Sequence, residues 1–228
     1  IDGSKAIGAG EYLLPGEVIL KAGESYVAPR AVATFSDQGL DGVTQNHYDW
    51  IRSRSNHITK VRPRPLTLNM WEAVYFNHDV DKLKELADAA ADLGIERFVL
   101  DDGWFGSRRD DTKGLGDWWV SDTVYPDGLG PLIDHVTGLG MEFGIWVEPE
   151  MVNPDSDMFR AHPDWALITD GYEPLLGRQQ LVLDLGNPAA FAFIEEALDA
   201  LLRDHDIAYV KWDMNRDHIQ SSGRDGAA

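Results

Sequence analysis

Cysteine is absent from the 228 residues, so neither a disulfide scaffold nor a thiolate-based metal or nucleophile site can be built. No run of about 18 apolar residues occurs, which leaves no helix able to span a bilayer. Basic residues are scarce: 20 Lys and Arg stand against 39 Asp and Glu, a net charge of −19. That sign repels nucleic acid and anionic membrane, and neither is expected as a partner. The seven histidines show no HxH or HExxH spacing, which disfavours zinc. No strand-like run leads into a GxGxxG loop or a P-loop, so the usual nucleotide signals are missing.

What is present suffices for a core. Hydrophobic residues make up 43 % and aromatics 10 %, with eight tryptophans, unlike a disordered acidic tail. The length suits one domain, or one domain plus a fragment of another. The chain opens at Ile1-Asp2-Gly3-Ser4-Lys5 without initiator methionine or apolar signal region, and ends at Arg224-Asp225-Gly226-Ala227-Ala228. The simplest expectation is a piece of a longer protein, with the cytoplasm as its location.

Residues 1–60 differ in pattern from 61–228. Val18-Ile19-Leu20 and residues 26–35 are β-prone runs around a turn-like Lys21-Ala22-Gly23-Glu24, and apolar positions recur at helical spacing from Gly39 to about Ser55. This reads as the end of a β-rich domain with a linking helix. Arg62-Pro63-Arg64-Pro65 is a stiff linker.

Beyond Pro65, strands and helices alternate. Strands are expected at 66–71, 98–100, 143–147 and 207–213, with a further β-prone run at 180–185. Helices are expected at 79–94, 129–139 and from Asn187-Pro188 onward, where a cap precedes proline at the first helical position. Such alternation argues for parallel βαβ units, and four of them form about half of a (β/α)8 TIM-type barrel.

Polar residues gather at the carboxyl ends of these strands: Trp71; Asp101 and Asp102; Trp146 and Glu148; Lys211, Asp213 and Asn215. In a parallel barrel those ends share one face, where active sites are built. Carboxylates accept from hydroxyls and flat rings pack on the apolar face of a sugar, so the pattern suits a carbohydrate site. Strand alternation places Lys211 and Asp213 on one side, where an ammonium would keep a nucleophilic or ion-stabilising carboxylate ionised. An ordinary strand-end salt bridge is the competing reading. Asp101-Asp102 also fits a solvated turn or half of a Mg²⁺ or Ca²⁺ site. Glu148-Pro149-Glu150 fits either an acid/base pair or a fixed loop, and Arg178 either a surface charge or a fork of donors for hydroxyls.

Six ordered segments carry a family likeness: Asn69-Met70-Trp71-Glu72-Ala73, residues 99–105 (VLDDGWF), Gly116-Asp117-Trp118, residues 143–152 (FGIWVEPEMV), His162-Pro163-Asp164-Trp165, and residues 211–216 (KWDMNR). Together they resemble the catalytic barrel of the bacterial α-galactosidases of glycoside hydrolase family 36, and residues 1–60 resemble the end of the β-sandwich that precedes it. The resemblance implies a retaining mechanism with Asp213 as nucleophile. It implies a galactose subsite of Trp71, Asp101, Asp102, Trp146, Arg178, Lys211 and Asn215, and no metal or organic cofactor. It implies α-galactoside oligosaccharides of the melibiose and raffinose type as substrates, and often an oligomer. The family's acid/base aspartate belongs to a later strand, matched by neither Asp217 nor Asp225, so the 228 residues alone are expected to be inactive. Three alternatives share these residues: an α-N-acetylgalactosaminidase of the same family, a non-catalytic sugar-binding remnant, and a metal-dependent hydrolase using Asp101, Asp102 and Glu148.

Overall fold

The computed structural model describes residues 8–13, 18–54, 62–169 and 171–220. The chain divides into two compact units, Ile1–Arg64 and Pro65–Ala227, a boundary inside the Arg62–Pro65 linker.

In the first unit, α1 (Gly39–Ser53) forms close to the expected place, with Asp41 in its first turn and Arg52 in its last, matching the helix dipole at both ends. Residues 18–38 form no strand. A β-prone run acquires its ladder only beside a second strand, and Val27 and Phe35 stand exposed there.

The second unit is α/β. Its main sheet is fully parallel, in the order β1 (Thr67–Asn69), β2 (Arg97–Leu100), β3 (Glu142–Val147), β6 (Tyr209–Trp212). The register pairs Asn69 with Val99, Leu100 with Ile145, and Trp146 with Lys211. This succession of neighbouring parallel strands with helical crossovers is that of a partial TIM barrel. β2 is buried on both faces and β3 nearly so, which explains the apolar runs Phe98–Leu100 and Phe143–Val147 that follow the charged first residue of each.

Helix boundaries follow local chemistry. α3 (Val80–Asp92) starts where Asp79 caps the amides of Asp81 and Lys82 at 3.0 and 3.2 Å. It ends before Gly94, whose φ of +80° suits glycine. α4 (Gly130–Gly138) crosses between β2 and β3. α6 (Pro188–Asp204) is capped by Asn187, which accepts from Ala189 N at 2.9 Å. At the amino end of the sheet, Arg97 Nε donates to Glu142 at 2.9 Å and its guanidinium lies 4.3 Å from the Tyr209 ring centroid.

Two segments of this second unit differ from expectation. The first strand stops at Asn69, and Trp71 instead opens the short helix α2 (Trp71–Val74), because Asn69 Oδ1 accepts from Trp71 N at 2.8 Å and turns the chain. The run at 180–185 supplies only β5 (Leu181–Val182), which pairs antiparallel with β4 (Met151–Val152), outside the main sheet. α5 (Asp157–Ala161), capped by Ser156, follows β4.

Candidate active site

Three strand ends meet at the carboxyl edge. From β2, Asp101 is 3 % exposed; its Oδ2 accepts from Lys211 Nζ of β6 at 2.8 Å and from Asn69 Nδ2 of β1. Lys211 is therefore bonded to Asp101, not to Asp213 as alternation along one strand suggests. Lys211 reaches Asp101 past the intervening β3, and its charge also acts on Asp213.

Asp213 follows β6, with its amide donating to the Val147 carbonyl at 2.9 Å. Its Oδ2 accepts from Trp146 Nε1 and Asn215 Nδ2, both at 2.9 Å, and its Oδ1 from Met214 N at 3.0 Å. Burial alone would raise this carboxyl. The Trp146 indole, the Asn215 amide, the Lys211 charge and the Met214 amide together outweigh it and hold Asp213 below the usual aspartate range. Both of its oxygens are aimed, and the group stays ionised.

Trp146 is 1 % exposed, stacked 6.1 Å from Phe105 and close to Trp118. Its structural role is thus to donate to Asp213 rather than to offer an open ring face. Trp71 is half-buried, edge-on to Tyr75 and Phe76 with centroids 5.3 and 4.9 Å apart. Asn69 links it to Asp101. Asp102 points away from Lys211 into a buried ion pair with Arg108 at 2.8 Å. Burial raises the Asp102 carboxyl; Arg108 opposes that rise without cancelling it. Arg178 is exposed and has φ +50°, in the tight turn where Gly177 and Gln180 exchange backbone hydrogen bonds. No hydrogen bond joins it to the cluster among the described residues.

The sequence pattern offers Glu148 as half of an acid/base pair, as part of a fixed loop, or as one carboxylate of a metal-dependent site. It is fully buried and accepts from Asn215 N and, at 3.2 Å, from Gln180 Nε2. Burial raises its carboxyl, and the nearby Asp213 charge adds to the rise. Its neighbour two residues on, Glu150, accepts from Trp212 Nε1 at 2.8 Å on the opposite side of β6. The pair therefore faces two different environments and does not form an acid/base couple. Asn69, Arg108, Asn153 and Gln180 escaped sequence reasoning. They lie in turns and strand ends without periodicity, and only the partners that folding brings to them mark them: carboxylates for Asn69, Arg108 and Gln180, and the Arg108 guanidinium for Asn153. Among the described residues no group of three or more His, Asp or Glu is arranged to hold a metal ion.

The cluster presents buried carboxylates, an ammonium and an ionised, indole-oriented aspartate at the carboxyl edge of the parallel sheet. This is chemistry suited to reading hydroxyls and to attack by a carboxylate on an electrophilic carbon. The Melibiase family model matches residues 25–227. An α-galactosidase of Escherichia coli is 47 % identical over 227 residues, covering 100 % of this chain and 32 % of that protein. The α-galactosidase AgaA of Geobacillus stearothermophilus is 46 % identical over 206 residues, covering 90 % of this chain and 28 % of its own length. The crystal structure of the family 36 α-galactosidase AgaB from the same organism superimposes with a TM-score of 0.79 at 46 % identity, over 84 % of this chain and 26 % of AgaB. The chain thus spans about a third of the length of these relatives. It belongs to the Melibiase family, the α-galactosidases of glycoside hydrolase family 36.

Proposed function

We propose that this chain carries the nucleophile and most of the galactose subsite of a retaining α-galactosidase. The observation that carries the reading is Asp213: three donors fix its two oxygens, and its carboxyl is held ionised at a strand end beside Asp101 and Lys211. In the first step an Asp213 oxygen attacks the anomeric carbon while the glycosidic C–O bond breaks. The leaving oxygen takes a proton, and a galactosyl ester forms on the enzyme. Water then attacks the same carbon, gives up a proton and releases galactose and the free carboxylate.

Asp101 and Lys211 read ring hydroxyls as acceptor and donor, Asp102 is a further acceptor, Asn215 both aims Asp213 and faces the sugar, and Trp71 offers its ring. Arg178 closes the subsite from its turn. The second carboxyl of a retaining pair stands about 5–5.5 Å from the nucleophile. Glu148 lies buried beneath Asn215 and Asp101 is committed to Lys211 and Asn69, so we assign the proton donor to neither. Oligosaccharides of the raffinose type are the substrates. AgaA of Geobacillus stearothermophilus, which shares this fold, has been crystallised with raffinose and with stachyose.

The test is an activated α-galactosyl fluoride carrying a second fluorine to slow turnover. Fluoride departs without help from an acid, so labelling reads the nucleophile alone. The expected result is one adduct on the peptide containing Asp213, absent in Asp213→Asn. An adduct elsewhere, or none with galactose bound, refutes the assignment.

A further inference from the structure

The mechanism makes no use of Arg108, which carries a permanent charge and is 1 % exposed. A guanidinium survives such burial only with its donors paired. Its Nε lies 3.0 and 3.2 Å from the two Asp102 oxygens and its Nη2 lies 2.8 Å from Oδ2. Nη1 donates to Asn153 Oδ1 at 3.0 Å and to the Lys113 carbonyl at 3.2 Å. Asn153 Oδ1 also accepts from Leu115 N at 2.9 Å. The guanidinium carbon lies 5.5 Å from the Phe76 ring centroid, and Phe76 in turn meets Trp71 edge-on. Four stretches of chain converge on this one side chain: the end of β2, the loop at 113–115, the residue after β4, and the end of α2. Gly114 (φ +80°) lets the 113–115 loop pack against the Arg108 backbone, since an added Cβ would come within 2.7 Å of the Arg108 amide nitrogen.

We propose that Arg108 is the positioning residue of the sugar subsite: its guanidinium holds the Asp102 carboxylate and, through Phe76, the Trp71 ring in a fixed mutual arrangement. This rests on the reading of Asp102 and Trp71 as sugar-facing groups. The charged groups near Asp102 are Arg108 and Asp101; the Gly103 amide supports its charged form, and His78 Nε2 donates to its backbone carbonyl at 2.9 Å. Asp110 faces Arg108 from the following loop. With the guanidinium gone, burial and the Asp101 charge both push the Asp102 carboxyl upward, so the acceptor is lost first at acidic pH.

The experiment compares wild type, Arg108→Met and Arg108→Lys by two readouts. One is the titration of the Asp102 carboxyl by ¹³C NMR, assigned with Asp102→Asn. The other is galactose affinity by calorimetry across pH 5–8. In R108M the Asp102 midpoint is expected to rise by about one pH unit or more. Galactose affinity should fall about tenfold or more at acidic pH and recover in part as pH rises. R108K keeps the charge without the fork, so its midpoint should stay near wild type while affinity weakens several-fold. An unmoved midpoint in folded R108M overturns the proposal, as does an affinity loss equal at every pH, the mark of a merely structural residue. If R108M does not fold, R108K decides: unchanged galactose binding overturns the proposal. If wild type binds no galactose while the R108M midpoint moves, the sugar reading fails and the hold of Arg108 on Asp102 stands.

Discussion

Glu148 offers the sharpest test of how the turn that carries Asp213 is held. It sits where water does not reach, and two donors depend on it: the Asn215 amide and Gln180 Nε2. Glu148→Ala leaves both without an acceptor. At roughly 1–3 kcal/mol for each orphaned buried donor, the loss is about 2–6 kcal/mol, a large share of the roughly 5–15 kcal/mol that holds a domain together. Glu148→Gln keeps one oxygen but turns an amide nitrogen toward the other donor, so its loss is about half as large, roughly 1–3 kcal/mol. Urea unfolding followed by tryptophan fluorescence measures both. A Glu148→Ala chain within about 1 kcal/mol of wild type would refute the argument, because it would mean the donors find other partners.

The same residue makes a prediction in pH. Burial is the main cause that raises the Glu148 carboxyl above its usual 4.5, with the Asp213 charge adding and the Asn215 and Gln180 hydrogen bonds opposing. A carboxyl whose folded pKa exceeds its unfolded one binds more protons in the native state, so it costs stability as pH rises between the two values. The neutral glutamine has no such cost. The stability deficit of Glu148→Gln should therefore narrow as pH climbs above about 4.5. A deficit that stays constant from pH 4.5 to 8 would contradict a raised Glu148.

Three further outcomes follow from the geometry. Trp146→Phe removes the foremost of the donors that hold the Asp213 carboxyl down, so its ¹³C NMR titration should move up by about half a unit to one unit; an unmoved midpoint would assign the effect to Asn215 and Lys211 alone. His78 accepts from the Tyr125 hydroxyl at 2.7 Å while donating to Asp102, and burial lowers it to about 4. It therefore contributes stability that is complete above about 6.5 and lost as pH falls toward 4, about 2 kcal/mol after allowance for its partial exposure. Acid melts of His78→Gln should be flatter than wild type by that amount. Asp79→Ala uncaps α3 and should cost about 1 kcal/mol in thermal melts at neutral pH.

The legible parts of this molecule are those encoded within a few residues. The apolar runs of β2 and β3, the stripe of Leu83, Ala87 and Ala90 on α3, and the Asn187-Pro188 start of α6 all read directly from spacing and capping chemistry. The first strand is shorter than its apolar pattern implies because one local bond, from Trp71 N to Asn69 Oδ1, turns the chain two residues early. Positions at strand ends were also legible, since a parallel barrel places them on one face. Their pairings were not. Lys211 and Asp213 share a side of β6, yet the partner of Lys211 is Asp101, 110 positions away. Arg108, Asn153 and Gln180 acquire their meaning only from carboxylates and backbone brought to them by folding.

That non-local pairing explains how one barrel mouth tolerates so much negative charge. Among the described residues, Asp101, Asp102, Glu148 and Asp213 face two cations, Lys211 and Arg108. The remaining compensation comes from neutral donors: Asn69 on Asp101, Trp146 and Asn215 on Asp213, Asn215 and Gln180 on Glu148. Neutral donors stabilise a carboxylate without cancelling its field. Asp213 thus remains ionised with its field left in place. Such a field suits an uncharged ligand whose hydroxyls donate. Under the function proposed above, it would suit still better a transition state with positive charge developing at the anomeric carbon, where the attraction grows as the bond breaks. Replacing the neutral donors by cations would hold the carboxylates as firmly but would remove that gain.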